Sequence, residues 1–187
     1  MNYQFPNRPR RLRDHPVLNP MMTELRLSNN DLVLPLFVTE EREEIVAIPS
    51  MPEQFRWPVE RLVEKIIEWR SLGLRAFALF PHLDASKKNE EGKEILNPDS
   101  LVYRAARRIK EEADDIALIG DLALDPYTSH GHDGILSDDG RVDNDLTVEA
   151  LCKASTLAAE SGFDLLAPSD MMDGRILKIR ETLESAG

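Results

Sequence analysis

The sequence predicts an α/β protein built on a parallel sheet, and three observations carry that prediction. Four short apolar runs are separated by segments with helical spacing of their apolar residues. The strand–helix unit recurs at roughly 40–50 residues without a convincing sequence repeat. The runs are nearly continuous in apolar character, as strands covered on both faces are. Alternation of this kind means right-handed crossovers between parallel strands. Two architectures satisfy it: an open doubly wound sheet, or part of an eight-unit βα barrel. The chain has no Gly-x-Gly-x-x-Gly and no lysine phosphate loop, which the open form often carries. A complete barrel takes about 250 residues; 187 residues supply about four of its eight units.

In chain order, residues 1–19 read as an arm. The run Arg8-Pro9-Arg10-Arg11-Leu12-Arg13 is basic, and prolines at 6, 9 and 16 favour an extended path. The arm is either a solvated terminus or a strap on an acidic neighbouring subunit, which the overall charge would attract. Residues 32–38 form the first strand, although Pro35 cannot donate to a ladder. A helix follows, with Val59, Leu62, Val63, Ile66 and Ile67 on one face, Pro58 at its first position and Gly73 at its end. Residues 75–81 are the second strand, and the polar stretch 84–94 is a surface loop. Asn97-Pro98 opens a helix carrying Leu101, Val102, Ala105 and Ile109. The third strand spans 116–124 and is followed by a long loop to about residue 145. The next helix places Val148, Leu151, Cys152, Ser155 and Ala159 on one side and closes at Gly162. A fourth strand at 164–168 leads to a last helix with Ile176, Ile179 and Leu183.

Composition narrows the function. The chain has 23 Lys+Arg against 34 Asp+Glu, a net charge of −11, and 42% hydrophobic residues. That is the profile of a globular domain with a real core. The acidic balance argues against a nucleic-acid binder. No apolar run approaches the ~20 residues of a membrane span, and the basic N-terminus lacks the apolar stretch of a secretory signal. One cysteine, Cys152, excludes an internal disulfide framework and a thiolate zinc cluster within one chain. A reducing, cytoplasmic setting is expected.

Chemistry gathers after the third and fourth strands, where functional groups of parallel α/β folds sit. Residues 121–134 read Asp-Leu-Ala-Leu-Asp-Pro-Tyr-Thr-Ser-His-Gly-His-Asp-Gly, with three carboxylates and two imidazoles. Strand alternation puts Asp121, Ala123 and Asp125 on one side. Repulsion among clustered carboxylates raises their pKa values unless a cation neutralises them. A polar loop with Asx turns at Asp125-Pro126 and Asp133-Gly134 is the plainer alternative. An aspartate inside an apolar strand is costly unless used or paired, which favours function. The fourth strand ends in Pro168-Ser-Asp-Met-Met-Asp-Gly-Arg175. Ser169, Asp170 or Asp173 could cap the following helix, which accounts for one of the three and not for all. Met171, Met172 and Cys152 read as packing residues, Asp138-Asp139-Gly140 reads as a turn, and His15 and His82 stand apart from these motifs in the sequence and take no assigned role.

These motifs, with Asp31-Leu-Val-Leu-Pro-Leu-Phe-Val38 and Ile48-Pro-Ser-Met-Pro52, resemble porphobilinogen synthase, also called delta-aminolevulinic acid dehydratase, over essentially the whole chain and in order. The resemblance implies a (β/α)8 TIM barrel, with residues 20–187 as its N-terminal half and 1–19 as an arm that embraces a neighbouring subunit. It implies a homo-oligomer, octamer or hexamer, and a cytoplasmic lyase. That lyase joins two molecules of 5-aminolevulinate, losing two waters, to give porphobilinogen for haem and other tetrapyrroles. Asp121 and Ser169 match the pair that holds a substrate amino group, with Asp125 and Asp133 lining the same site. Positions 123, 125 and 133 are cysteines in zinc-dependent members. Here they are Ala123, Asp125 and Asp133, so no zinc is expected, and Asp125 and Asp133 would suit Mg²⁺ or no metal. His130 and His132 stand near as outer or weak ligands.

The resemblance also implies two Schiff-base lysines on later strands of the barrel. Lys153 and Lys178 lie in predicted helices, and Lys87, Lys88 and Lys93 in a surface loop, so none matches them. The expectation is a chain that is catalytically silent by itself. Two alternatives remain: a non-catalytic half-barrel that self-associates or serves as an interaction module, and an open α/β enzyme with a magnesium–carboxylate site.

Overall fold

The structure, a computed structural model, describes residues 7–40 and 44–187. Pro6 and the first residues of the arm lie outside that range. Every described residue from Asn7 to Val33 is exposed. The basic run is not extended: its residues enter a short helix α1 (Arg11–Asp14), followed by α2 (Leu18–Met21). Prolines at 9 and 16 lie outside both helices, and Pro20 sits inside α2, where only four residues are involved.

The chain then builds β1 (Val33–Thr39), β2 (Val46–Ala47), β3 (Phe55–Pro58), α3 (Val59–Ser71), β4 (Ala76–His82) and α4 (Leu101–Glu112). It continues with β5 (Ala117–Asp121), α5 (Asn144–Glu160), β6 (Leu165–Ala167) and α6 (Arg175–Ala186). The sheet order is β2-β3-β1-β4-β5-β6, and β1, β4, β5 and β6 are mutually parallel. Those four strands follow one another in space as in sequence. β3 is parallel to β1 as well and lies on its other side, so the order steps back once, from β1 to β3, through a hairpin that carries no helix. The helix-bearing crossovers β3–α3–β4, β4–α4–β5 and β5–α5–β6 all run in one direction, which puts α3, α4 and α5 on the same face. A doubly wound sheet needs helical crossovers in both directions to cover both faces, so the open architecture is excluded and the barrel arc stands.

Burial along the strands agrees. Leu36, Val38, Phe77, Leu79 and Leu118 are buried against the helices, while alternate residues such as Val33, Ala78, Ile119 and Leu165 face the concave side and stay at least partly exposed. Pro35 is tolerated because it lies on β1 before the segment that pairs with β3, which begins at Phe37.

Helices α3 to α6 form where apolar spacing predicts, with local corrections. Leu62, Val63 and Ile66 of α3 are buried, but Ile67 is exposed. Pro58 is the capping residue of α3 rather than its first helical residue. In α4 all four predicted residues are buried, and Ser100, not Asn97, precedes the helix; Asn97 instead forms a turn through its side chain to the Asp99 amide. The buried residue late in α5 is Ala158, not Ala159, and Cys152 is half-buried. In α6, Ile179 is buried and Ile176 is exposed.

Two strands escape the sequence reading. The β2–β3 hairpin adds to the edge of β1, with Phe37, Val38 and Thr39 opposite Arg56, Trp57 and Pro58. β5 is shorter than its apolar run: it ends at Asp121, and Leu122, Ala123 and Leu124 are buried beyond it.

Candidate functional site at the mouth of the strands

Register brings the site together. Asp121 is the partner of Ala167 across β5 and β6. Side chains along a strand repeat with a period of two, so residue 169 returns to the face of Asp121 just past the strand end. The Ser169 hydroxyl donates to Asp121 Oδ1 at 2.6 Å. The Leu122 amide donates to the Ala167 carbonyl at 3.1 Å, extending the ladder and keeping the two loops in step.

The alternation expected for Asp121, Ala123 and Asp125 does not continue, because the strand ends. Ala123 is buried and Asp125 is exposed, and the Tyr127 and Thr128 amides close a turn onto the Leu124 carbonyl. Asp125 nonetheless stays within the field of Asp121 and Asp133. Asp121 is held above the usual carboxylate range chiefly by desolvation; the Ser169 hydroxyl pulls it down, and the charges of Asp133 and Asp170 push it up. Asp125 is also raised, by desolvation first and then by Asp121 and Asp133, with Lys88 as the opposing charge. Asp170 is raised by burial, against the pull of the Met172 amide and Arg175.

None of the candidate caps acts as one. The residue before α6 is Gly174, in the left-handed region at φ 78°, and it makes no side-chain cap. Asp170 turns inward, where its side chain is fully buried: Oδ2 accepts from the Met172 amide at 3.0 Å, and Oδ1 lies 2.6 Å from Arg175 Nε. Asp173 is held through its backbone, its amide donating to Asn144 Oδ1 at 2.7 Å. Met172 is buried in the core as a packing residue, while Met171 is exposed.

The histidines serve the loop. His130 Nδ1 accepts the His132 amide at 3.1 Å, which leaves Nε2 as the protonated nitrogen, 3.0 Å from the Glu90 carbonyl. Both ring nitrogens of His130 are thereby engaged. The Thr128 hydroxyl donates to the His132 carbonyl at 2.9 Å. Residues 138–140 form the expected turn, with the Gly140 amide on the Ser137 carbonyl.

Among the described residues no group of three or more His, Cys, Asp or Glu side chains is gathered to hold a metal ion. The donors near the mouth are carboxylates and a hydroxyl. Such a set is hard in character and poorly matched to zinc, which favours thiolate and imidazole.

The lysines lie apart from the Asp121–Ser169 pair in their contacts. Lys65, Lys87, Lys93, Lys110, Lys153 and Lys178 each pair with a carboxylate outside the cluster. Lys88 faces Asp125 electrostatically. The sequence reading missed three contributors: the Asp170–Arg175 pair, the Asn144 clip and Lys88. Their roles depend on contacts between loops, for which linear spacing holds no signal. The acidic and basic residues flanking the Met-Met pair were the one available hint.

The family model for delta-aminolevulinic acid dehydratase matches residues 6–187. The delta-aminolevulinic acid dehydratase of Bradyrhizobium diazoefficiens is 44% identical over 180 residues, covering 96% of this chain and 51% of the relative. That of Chlamydia pneumoniae is 42% identical over 96% of this chain and 54% of the relative. The chain thus spans about half the length of the curated relatives it matches. A crystal structure of the Toxoplasma gondii enzyme, in complex with the reaction product porphobilinogen, superposes with a TM-score of 0.94. It is 43% identical and covers 98% of this chain and 52% of that one. No helix among the described residues is long and apolar enough to cross a membrane.

Proposed function

The chain belongs to the delta-aminolevulinic acid dehydratase family, and from that premise we propose that it carries the part of a porphobilinogen-forming site that receives the amino group of 5-aminolevulinate. The observation that carries this reading is the Ser169–Asp121 hydrogen bond at the strand mouth. Desolvation and neighbouring carboxylates destabilise the ionised form of Asp121. An ammonium arriving at Asp121 relieves that repulsion, so the site is electrostatically prepared for a cation before one binds. Ser169 orients the carboxylate and accepts a proton-bearing nitrogen through its free lone pair. Asp125 and Asp133 complete the acidic lining.

Where a divalent cation takes part, Asp125 and Asp133 are its proposed ligands. Oxygen donors with water completing the shell suit Mg²⁺, and its charge would offset the same repulsion. A cytoplasmic setting accords with the single half-buried cysteine, and assembly as a homo-oligomer accords with the exposure of every described residue of the arm. The 187-residue chain by itself is proposed to form no porphobilinogen, because six of its lysines are committed to other carboxylates and the remaining one, Lys88, is opposed to Asp125. Product formation by the purified chain would overturn that part.

The test of the amine site is calorimetric. Asp121→Asn is expected to weaken 5-aminolevulinate binding by about tenfold or more, the scale of a lost charge-assisted hydrogen bond, and Ser169→Ala by less. Unchanged affinity in D121N would refute the assignment. The exposed concave face, with Val33 and Leu165 about half exposed, favours a second reading in which the chain self-associates as a half-barrel. Sedimentation of the native chain beside Leu165→Asp separates the two, since only the second loses its association when the concave face is charged.

A further inference from the structure

We propose that Arg175 is a positioning residue for the amine site, acting through Asp170 to hold Ser169 on Asp121. This inference rests on the proposed role of the Asp121–Ser169 pair and adds the device that sets its geometry.

Ser169 is exposed and sits on a loop, and its hydroxyl has to stay on Asp121 without packing of its own. The next residue, Asp170, is the anchor. Its side chain is fully buried, and Arg175 Nε lies against Oδ1 at 2.6 Å. That ion pair is close but misaligned as a hydrogen bond, and neither atom has another partner. The guanidinium spans back across the loop: Nη1 donates to the Met172 carbonyl at 2.9 Å, while the Met172 amide donates to Asp170 Oδ2 at 3.0 Å. Asp170, Met172 and Arg175 thereby close a ring, and the Met172 side chain roots it in the core. Beyond the ring, Asn144 grips the backbone of Asp173 from α5 on both its amide and its carbonyl.

A buried carboxylate without its cation is costly. Removing the guanidinium therefore frees Asp170 to turn toward solvent or take up a proton, and Ser169 moves with it. Lysine at 175 would keep the charge but lose the planar fork that reaches both Asp170 and Met172.

The experiment measures the Ser169 rotamer in the 187-residue chain, labelled at serine, from three-bond Hα–Hβ couplings, together with the exchange rate of the Met172 amide. The native chain is expected to show one Ser169 rotamer. Arg175→Gln is expected to average the couplings and to speed Met172 exchange about tenfold, the scale of a lost hydrogen bond to a charged group. Leu62→Ala, a core truncation away from the mouth, lowers global stability and is expected to leave the Ser169 couplings unchanged. If R175Q does not fold, Arg175→Lys is read instead, and more than one Ser169 rotamer is still required. A single unchanged rotamer in the folded Arg175 variant overturns the inference. Averaged couplings in L62A overturn it too, since the effect would then be loss of stability alone. The amine site itself is judged separately by the D121N binding measurement, so failure of one is distinguishable from failure of the other.

Discussion

At the scale of single residues the mouth of the sheet stores electrostatic strain. Asp121 and Asp125 both have carboxyls raised above their unfolded values. The sign follows directly. Between the ordinary value near 4 and the raised folded value, the folded state binds more protons than the unfolded one. Stability therefore falls as pH rises through that window. Asp125→Asn is expected to raise the melting temperature at pH 7, and the gain should disappear below about pH 4; an equal gain at both pH values would contradict this account. Binding runs the opposite way. An amine needs ionised Asp121, so its affinity should fall as pH drops through the raised value, above the range where an unperturbed carboxylate titrates. The meeting of Asp121 and Ser169 was anticipated only through the resemblance to the family's motifs, since the register that brings residue 169 onto the face of Asp121 belongs to the folded sheet. Arg175 and Asp170 were not, because their contact spans a loop whose path no periodicity describes.

Among the elements, the connection from β5 to α5 is the one on which the acidic lining depends. A Cβ added to Gly134 would come within 2.5 Å of Val142 Cγ1 and 2.8 Å of Thr147 Oγ1, with Met172 Cε at 3.2 Å. Those neighbours belong to the loop, to α5 and to the buried root of the 168–175 segment. Gly134→Ala is expected to cost about 1–3 kcal/mol by overpacking and to displace Asp133 next to it, read as a lower denaturation midpoint with weakened amine binding. Asp143 caps α5 through the Leu146 amide at 3.0 Å, and Asp143→Ala should cost about 1 kcal/mol without changing that binding. β1, β4 and helices α3 to α6 were readable because their apolar spacing is dictated by burial, whereas α1 and α2 bury nothing and left no such signal. The β2–β3 hairpin was not: two- and four-residue strands are too short to show a period. β5 was read too long because Leu122, Ala123 and Leu124 are apolar for burial in a turn, which composition cannot tell from a strand.

For the whole molecule, the single direction of the helix-bearing crossovers from β3 to β4, β5 and β6 is what sets the arc, and with it the convergence of loops from β5 and β6 on one mouth. The spacing of apolar runs allowed either an arc or an open sheet, since both bury strands equally well. Only the resemblance to porphobilinogen synthase pointed to the barrel before the strand order did. The arc leaves Val33 and Leu165 on its concave side about half exposed, an apolar surface expected to bind hydrophobic dyes. Leu165→Asp is expected to reduce dye binding by the chain while leaving its helical content intact. Recognition of an amino group by the acidic mouth is the proposal on which the rest depends. The most direct measurement titrates the chain with 5-aminolevulinate and, in parallel, with levulinate, which lacks the amine, following the Asp121 carboxyl and Ser169 by NMR. The account predicts that 5-aminolevulinate shifts both signals, that levulinate shifts neither, and that D121N abolishes the Ser169 shift. Equal shifts from the two ligands would contradict it.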